Sequence, residues 1–474
     1  MFDRQIGLSK ASTGGFRLSL QPAPAWTAIL GLFLFSALCI VGGAGKILNL
    51  AFPAGAFAVG AFLYFRYPIL YVGFSWWVLF LTAFIRRLAD YRGSFTDPSP
   101  ILTAPYLVIG LTFITCWQYF PKVYRQGGLA FILSFIGLFY SFLIGLINKQ
   151  PVIVVRGGLD WLTPVSFGFH LWVNWRNYPS YRQNLERIFL WSVLVMGVYG
   201  VVQFVVAPEW DKLWLINTGL ESAGGHAAPF EMRVFSTLNS AEPFSGFMAA
   251  ALMLLFNQKG VLGIFGSAAG YMSLLLTSVR SAWIGWLAGL LTLMSSLKAK
   301  RQMRLIITIA VIAVLVVPLS TIEPISQTLS GRFNSLSNVE EDGSAKARKE
   351  TFQGFIGSAL ISFIGDGIGG PGYDSSILIM LLHLGWFGTI PYMVGMLLLI
   401  FGLFRNSEGS FDPFTTASRA IVMSILVRTP VNTCVIGVSG VVLWAFLGMG
   451  MAAKKYYQHQ RTTQLSQSLP QNPP

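Results

Sequence analysis

Apolar runs of about 17 to 22 residues recur along almost the whole chain, each about long enough to cross a ~30 Å hydrocarbon core. Inside lipid every backbone polar group must find a partner within the protein, so only helices and closed barrels can span. Barrel strands would show alternation over segments of about ten residues, whereas these runs are continuously apolar. The chain is 54% hydrophobic and only 11% charged, against about 25% charged for soluble domains. The expected fold is therefore all-α: a polytopic integral membrane helix bundle of about 12 to 14 transmembrane helices with a large external loop. Candidate spans lie near 25–43, 47–65, 67–85, 101–117, 128–147, 157–174, 188–207, 241–257, 260–277, 281–297, 305–322, 376–403, 420–435 and 437–453. They form one transmembrane domain over 25–453, between a cytoplasmic segment 1–24 and a tail 454–474. The Gln-, Ser- and Pro-rich composition after Tyr457 reads as disorder. Arg4, Lys10 and Arg17 before the first run resemble a signal anchor, and Ala25 to Val41 shows no clear cleavage site.

A net charge of +14 would point to nucleic acid in a soluble protein. In a membrane protein it reflects basic cytoplasmic connections, so no nucleic-acid partner is expected. Lys298, Lys300, Arg301 and Arg304 crowd one short connection and fix it as cytoplasmic. Alternation from there puts Lys122, Arg125, Arg176, Arg182, Arg187, Lys454 and Lys455 inside, and the polar loops 208–240 and 323–375 outside. It also puts Arg86, Arg87 and Arg92 outside, against the rule. Either a span is miscounted there or those arginines meet an anionic partner.

Gly260 to Leu297 has room for two crossings and almost no loop, so a tight external hairpin must fall near Leu276 to Trp283 and hold Arg280. A charge at a lipid edge is functional or it is an arginine that snorkels. Arg233 stands before the next span, with Glu231 and Glu242 as possible partners. Arg332 lies in the 323–375 loop, and Arg348 precedes an amphipathic helix over Thr351 to Phe363. Arg428, followed by Thr429-Pro430, falls inside a candidate span near mid-membrane, where proline frees carbonyls an arginine could satisfy. His226 is a loop residue able to act as a base, and His383 reads as a packed polar residue.

Gly365-x-Gly367-x-x-Gly370 matches a dinucleotide fingerprint only as a string, since it follows a helix, not a strand. The four histidines and three cysteines have no metal-ligand spacing, so neither metal nor cofactor is expected. External arginines with few acid–base groups suit a phosphate- or diphosphate-bearing substrate, because the guanidinium fork binds phosphate oxygens bidentately.

Arg233-Val-Phe-Ser-Thr-Leu-Asn-Ser, Leu276-Thr-Ser-Val-Arg280-Ser-Ala-Trp and Arg348 come in that order, then Gly365 to Gly372 and Asp374-Ser-Ser-Ile-Leu…His383-Leu-Gly385-Trp-Phe-Gly388. In order and spacing, over about 190–405, they resemble the O-antigen ligase/polymerase family of bacterial envelope enzymes. The resemblance implies a metal-independent glycosyltransferase of the cytoplasmic membrane with a periplasmic active face. Such an enzyme moves a glycan from undecaprenyl diphosphate to a glycan or lipid acceptor. Arg280 and Arg348 would hold the diphosphate, assisted by Arg233, with Arg332 and Arg428 as further substrate-binding candidates. The family's ligases carry a His-Asn pair where this chain has Asp374-Ser375. Asp374 is then the candidate base and His226 the fallback. The competing reading is a secondary transporter of a small anion such as bicarbonate.

Overall fold

A computed structural model of the chain describes residues 21–256, 260–295, 343–405 and 412–468, besides 302, 303 and 307. For 221, 222, 343–349, 467 and 468 the description is of the backbone alone. All of span 305–322 except 307, most of the large loop, Arg332 and the side chain of Arg348 lie outside the described residues.

The protein is an all-α polytopic membrane protein. Its main helices are α1 (Ala23–Val41), α2 (Gly45–Arg66), α3 (Pro68–Arg92), α4 (Ala104–Gly110), α5 (Thr112–Val123), α6 (Leu129–Asn148), α7 (Pro151–Val173) and α8 (Tyr178–Val206). They continue as α9 (Glu209–Thr218), α10 (Ala241–Leu255), α11 (Val261–Leu276), α12 (Arg280–Ser295), α13 (Gly343–Ile361), α14 (Ser376–Phe404), α15 (Pro413–Leu426) and α16 (Gly437–Ser468). Among the described residues, eight helical segments are long and apolar enough to cross a membrane, and α10 and α11 are shorter apolar helices. The expected spans over 241–297 and 420–435 are helices of 14 to 16 residues. At 1.5 Å per residue these reach less than the full hydrocarbon thickness.

Lipid is as apolar as leucine, so helices select one another by close backbone approach and polar contacts. A β-carbon on Gly197 of α8 would lie 2.9 Å from the backbone of Ala269 in α11, and one on Gly285 of α12 would lie 2.6 Å from the Ser424 carbonyl oxygen in α15. Gly137 and Gly395 set α6 against α14 in the same way. At the centre, Phe80, Phe189, Phe247 and Phe446 interlock, with the Phe80 and Phe247 rings 4.3 Å apart.

Side-chain contacts sort the connections onto two faces. On one, Arg182 pairs with Asp412 at 2.6 Å, Asn184 reaches the Ile69 carbonyl and Lys455 lies over Trp172. On the other, loop 207–240, the α11–α12 turn, segment 362–375 and turn 427–436 meet one another. We call these the tail face and the loop face. Arg86 and Arg87 lie on the loop face, and the chain supplies their anionic partners. Arg86 pairs with Asp90 and Asp97 at 3.3 and 3.4 Å, and Arg87 pairs with Asp211 at 2.7 Å.

Candidate functional site

Loop 207–240 is held down by that last pair. Arg87 and Asp211 are both fully buried. Arg87 also donates to the carbonyls of Leu238, at 2.5 Å, and Ser236. Asp211 accepts from Tyr199 and Gln203, and the Gln203 oxygen accepts the Phe235 and Ser236 amides. These bonds fix the segment that begins at Arg233.

Arg233 points along that segment onto the hairpin. Helix α11 ends at Leu276 and α12 begins at Arg280, so the turn expected from sequence is there. Arg233 Nε donates to the Thr277 carbonyl at 3.2 Å and Nη2 to the Ser278 carbonyl at 3.3 Å, while Val234 N–H bonds to Leu276 O. Ser278 has φ of +56°, a left-handed conformation that strains a residue bearing a β-carbon. The arginine satisfies carbonyls that the tight turn leaves open. Arg233 therefore holds the hairpin from which Arg280, half-buried, starts its helix.

Arg428 lies beyond the helix in which the sequence placed it: α15 stops at Leu426 because Pro430 cannot continue it, and Arg428 sits in the following turn on the loop face. Its side chain is 1% exposed and its Nη2 lies 2.5 Å from Glu242 Oε1, in the first turn of α10. Gly246 and Gly285 leave the space it fills, since a β-carbon on Gly285 would come within 2.7 Å of Arg428 Cδ. An arginine charge-matched and enclosed in this way buttresses α10, α12 and α15. Glu242 is thus a partner of Arg428.

The carbonyls freed around Pro430 are taken by the start of α14. Ser376 N–H bonds to Thr429 O at 2.9 Å and Asn432 O at 3.1 Å, and Ser376 Oγ donates to Asn432 O. Ser375 caps the helix by accepting the Leu378 amide. Asp374, one residue earlier, is exposed beside this junction. His226 is exposed on the hairpin whose Gly225 pairs with Met232, with no described contact to the arginine cluster. Helix α13 begins at Gly343, earlier than expected, and packs Phe352, Ile356 and Ala359 against Leu378, Leu381 and Leu382. Arg348 is one turn before Phe352 in that helix.

The glycine-rich segment packs closely into the bundle. Gly365, Gly367 and Gly369 have φ of +81°, +79° and +93°, a region that residues with a β-carbon avoid. The segment is wedged into the bundle: Ile368 is fully buried, and a β-carbon on Gly145 of α6 would lie 2.6 Å from its oxygen. Lys149 donates to Gly367 O at 2.7 Å. Burial holds the Lys149 ammonium below the ordinary lysine range, an effect the nearby Asp366 charge opposes. Sequence reasoning missed Lys149, and it offered Glu242 to Arg233 without seeing Arg428 as its partner; both acquire meaning only through their neighbours.

Compared with known proteins, the chain matches no family model and no curated sequence.

Proposed function

We propose that the protein is a membrane glycosyltransferase that moves a glycan from undecaprenyl diphosphate to an acceptor hydroxyl at the loop face. The observation that carries this reading is a convergence. The Arg233-braced hairpin bearing Arg280, the Arg428–Glu242 buttress and the Asp374-bearing start of α14 all belong to one face. Arg280 and Arg233 would hold the diphosphate and stabilise the charge that develops as it leaves. Arg348, on α13, would join them, and Arg428 would set the geometry by buttressing the helices beneath. The loop face is then periplasmic and the protein belongs to a bacterial cytoplasmic membrane. Basic residues of the tail face, Arg125, Arg176, Arg187, Lys454 and Lys455, support that orientation.

The test is transfer by protein reconstituted in nanodiscs, with an undecaprenyl-diphosphate-linked oligosaccharide as donor and a glycan or glycolipid as acceptor. Arg280→Lys keeps the charge and loses the fork. It is expected to slow transfer by about 10²-fold or more, and transfer at the wild-type rate would remove Arg280 from the clamp. Helix α14 is interrupted by a π-helical turn at Met380–Leu384, the kind of break on which secondary transporters build ion sites. Bicarbonate uptake into proteoliposomes without any glycan transfer would select that reading.

A further inference from the structure

A second cluster of cations lies on the tail face, outside the chemistry proposed for the loop face. Helix α7 carries Trp172 near its end and passes into a short 3-10 turn, Trp175–Asn177. Lys455 and His459 stand one turn apart on α16 and so share a face of that helix. Lys455 Nζ lies 4.1 Å from the centre of the Trp172 ring. Arg176 Cζ lies 5.0 Å from the centre of the Trp175 ring, which the His459 ring meets edge-on at 5.3 Å. The turn 124–128 packs on the same group, since a β-carbon on Gly128 would lie 2.8 Å from Trp172 Cη2. That turn carries Arg125, exposed like Arg176.

Positive charges gather here without the carboxylates that would offset them. The tail-face acids among the described residues, Glu186 and Asp412, both pair with Arg182. Lys454 donates to the Gly402 carbonyl, whereas the side chains of Lys455 and Arg176 make neither an ion pair nor a hydrogen bond among the described residues. The charge that acts on half-buried Lys455 is that of Arg176, and it repels. Stacking on tryptophan offsets part of this cost. An anion between the two cations would offset more.

Depth indicates which anion. At 1.5 Å per residue, Trp172 stands about 31 Å along α7 from Pro151, and Lys455 about 27 Å along α16 from Gly437. These distances match the ~30 Å hydrocarbon thickness, so the cluster sits where phospholipid phosphates begin. Tryptophan and tyrosine favour that level, and Tyr124, beside Arg125, is 72% exposed there.

We infer that Arg176 and Lys455 bind the phosphate of an anionic phospholipid whose headgroup adds no positive charge, as in phosphatidylglycerol. The Arg176 fork takes two phosphate oxygens and the Lys455 ammonium a third. Arg125 and His459 border the headgroup, and basic pockets between transmembrane helices suit such groups. The bound lipid ties the end of α7 to α16. This site does not rest on the transferase reading.

The test titrates detergent-purified protein with phosphatidylglycerol or phosphatidylcholine and counts retained lipid by native mass spectrometry. Wild type is expected to prefer phosphatidylglycerol by about 10-fold or more. Arg176→Gln with Lys455→Gln should abolish that preference. Arg66→Gln with Arg187→Gln, which removes two exposed tail-face charges outside the cluster, should keep it. Arg176→Gln alone, at an exposed position, should lose part of the preference and decides the matter if the double variant does not fold. Equal losses in the two double variants would reveal diffuse surface attraction and overturn the site. Wild type that does not discriminate between the lipids, or an unchanged preference in Arg176→Gln, would overturn it as well. Inorganic phosphate at millimolar concentration should leave the lipid bound; displacement would overturn the lipid and make this a site for soluble phosphate.

Discussion

At the scale of single residues, the pair that violates the charge rule is the most informative. Arg86 and Arg87 stand on the face opposite the basic tail, yet each is neutralised within the chain, so neither contributes to orientation. Arg87 and Asp211 are buried on all sides, and a charge in that position is tolerable only while its partner remains. Asp211→Leu alone is expected to destabilise the protein by about 3–5 kcal/mol. The double variant Arg87→Met with Asp211→Leu should recover a large part of that loss. Denaturant unfolding in detergent across the four proteins of the cycle measures the coupling. Simple additivity would show that the pair does not anchor loop 207–240. The sequence marks Arg87 as anomalous but cannot name Asp211, because the pairing exists only once α9 packs beside α3.

At the scale of elements, small residues decide which helix meets which. Gly285 lies where α12 crosses α15 and where Arg428 runs beneath the hairpin, so any side chain there displaces a carbonyl and an ion pair together. Gly285→Leu should lower the melting temperature in detergent clearly, by the equivalent of about 1–3 kcal/mol or more. Gly31→Leu on α1, where a β-carbon meets nothing within 4 Å, should change it little. Equal effects at the two positions would mean that bulk alone, and not the helix crossing, is being sensed. The hairpin itself was legible in advance: a stretch only just long enough for two crossings leaves no freedom over where it turns. Arg428 was not legible, since a hydropathy window runs across Pro430 and cannot see that the helix has already ended.

At the scale of the whole molecule, alternating helix ends divide the polar groups between two faces, and the reading given above makes the loop face periplasmic. His226→Cys and Arg461→Cys, each in a background without Cys39, Cys116 and Cys434, report the two faces separately. A membrane-impermeant maleimide applied to intact cells should label position 226 only, and both after permeabilisation. Labelling of 461 alone would invert the orientation and place the arginine cluster in the cytoplasm. The sequence by itself determined that the chain is helical, crosses the membrane many times and crowds Arg280 onto a tight turn. These follow from the cost of unsatisfied backbone in lipid and from the length of the apolar runs. Only the tertiary structure decided that Arg428 pairs with Glu242, that the glycine-rich segment is a wedge, and that His383 bonds to the Pro371 carbonyl. Hydrophobicity drives a segment into lipid but does not distinguish lipid from a neighbouring helix. The partners of buried polar groups are therefore set by packing between segments distant in sequence. Arg280 was placed by its own stretch of chain, and the residues that support it were placed by the fold.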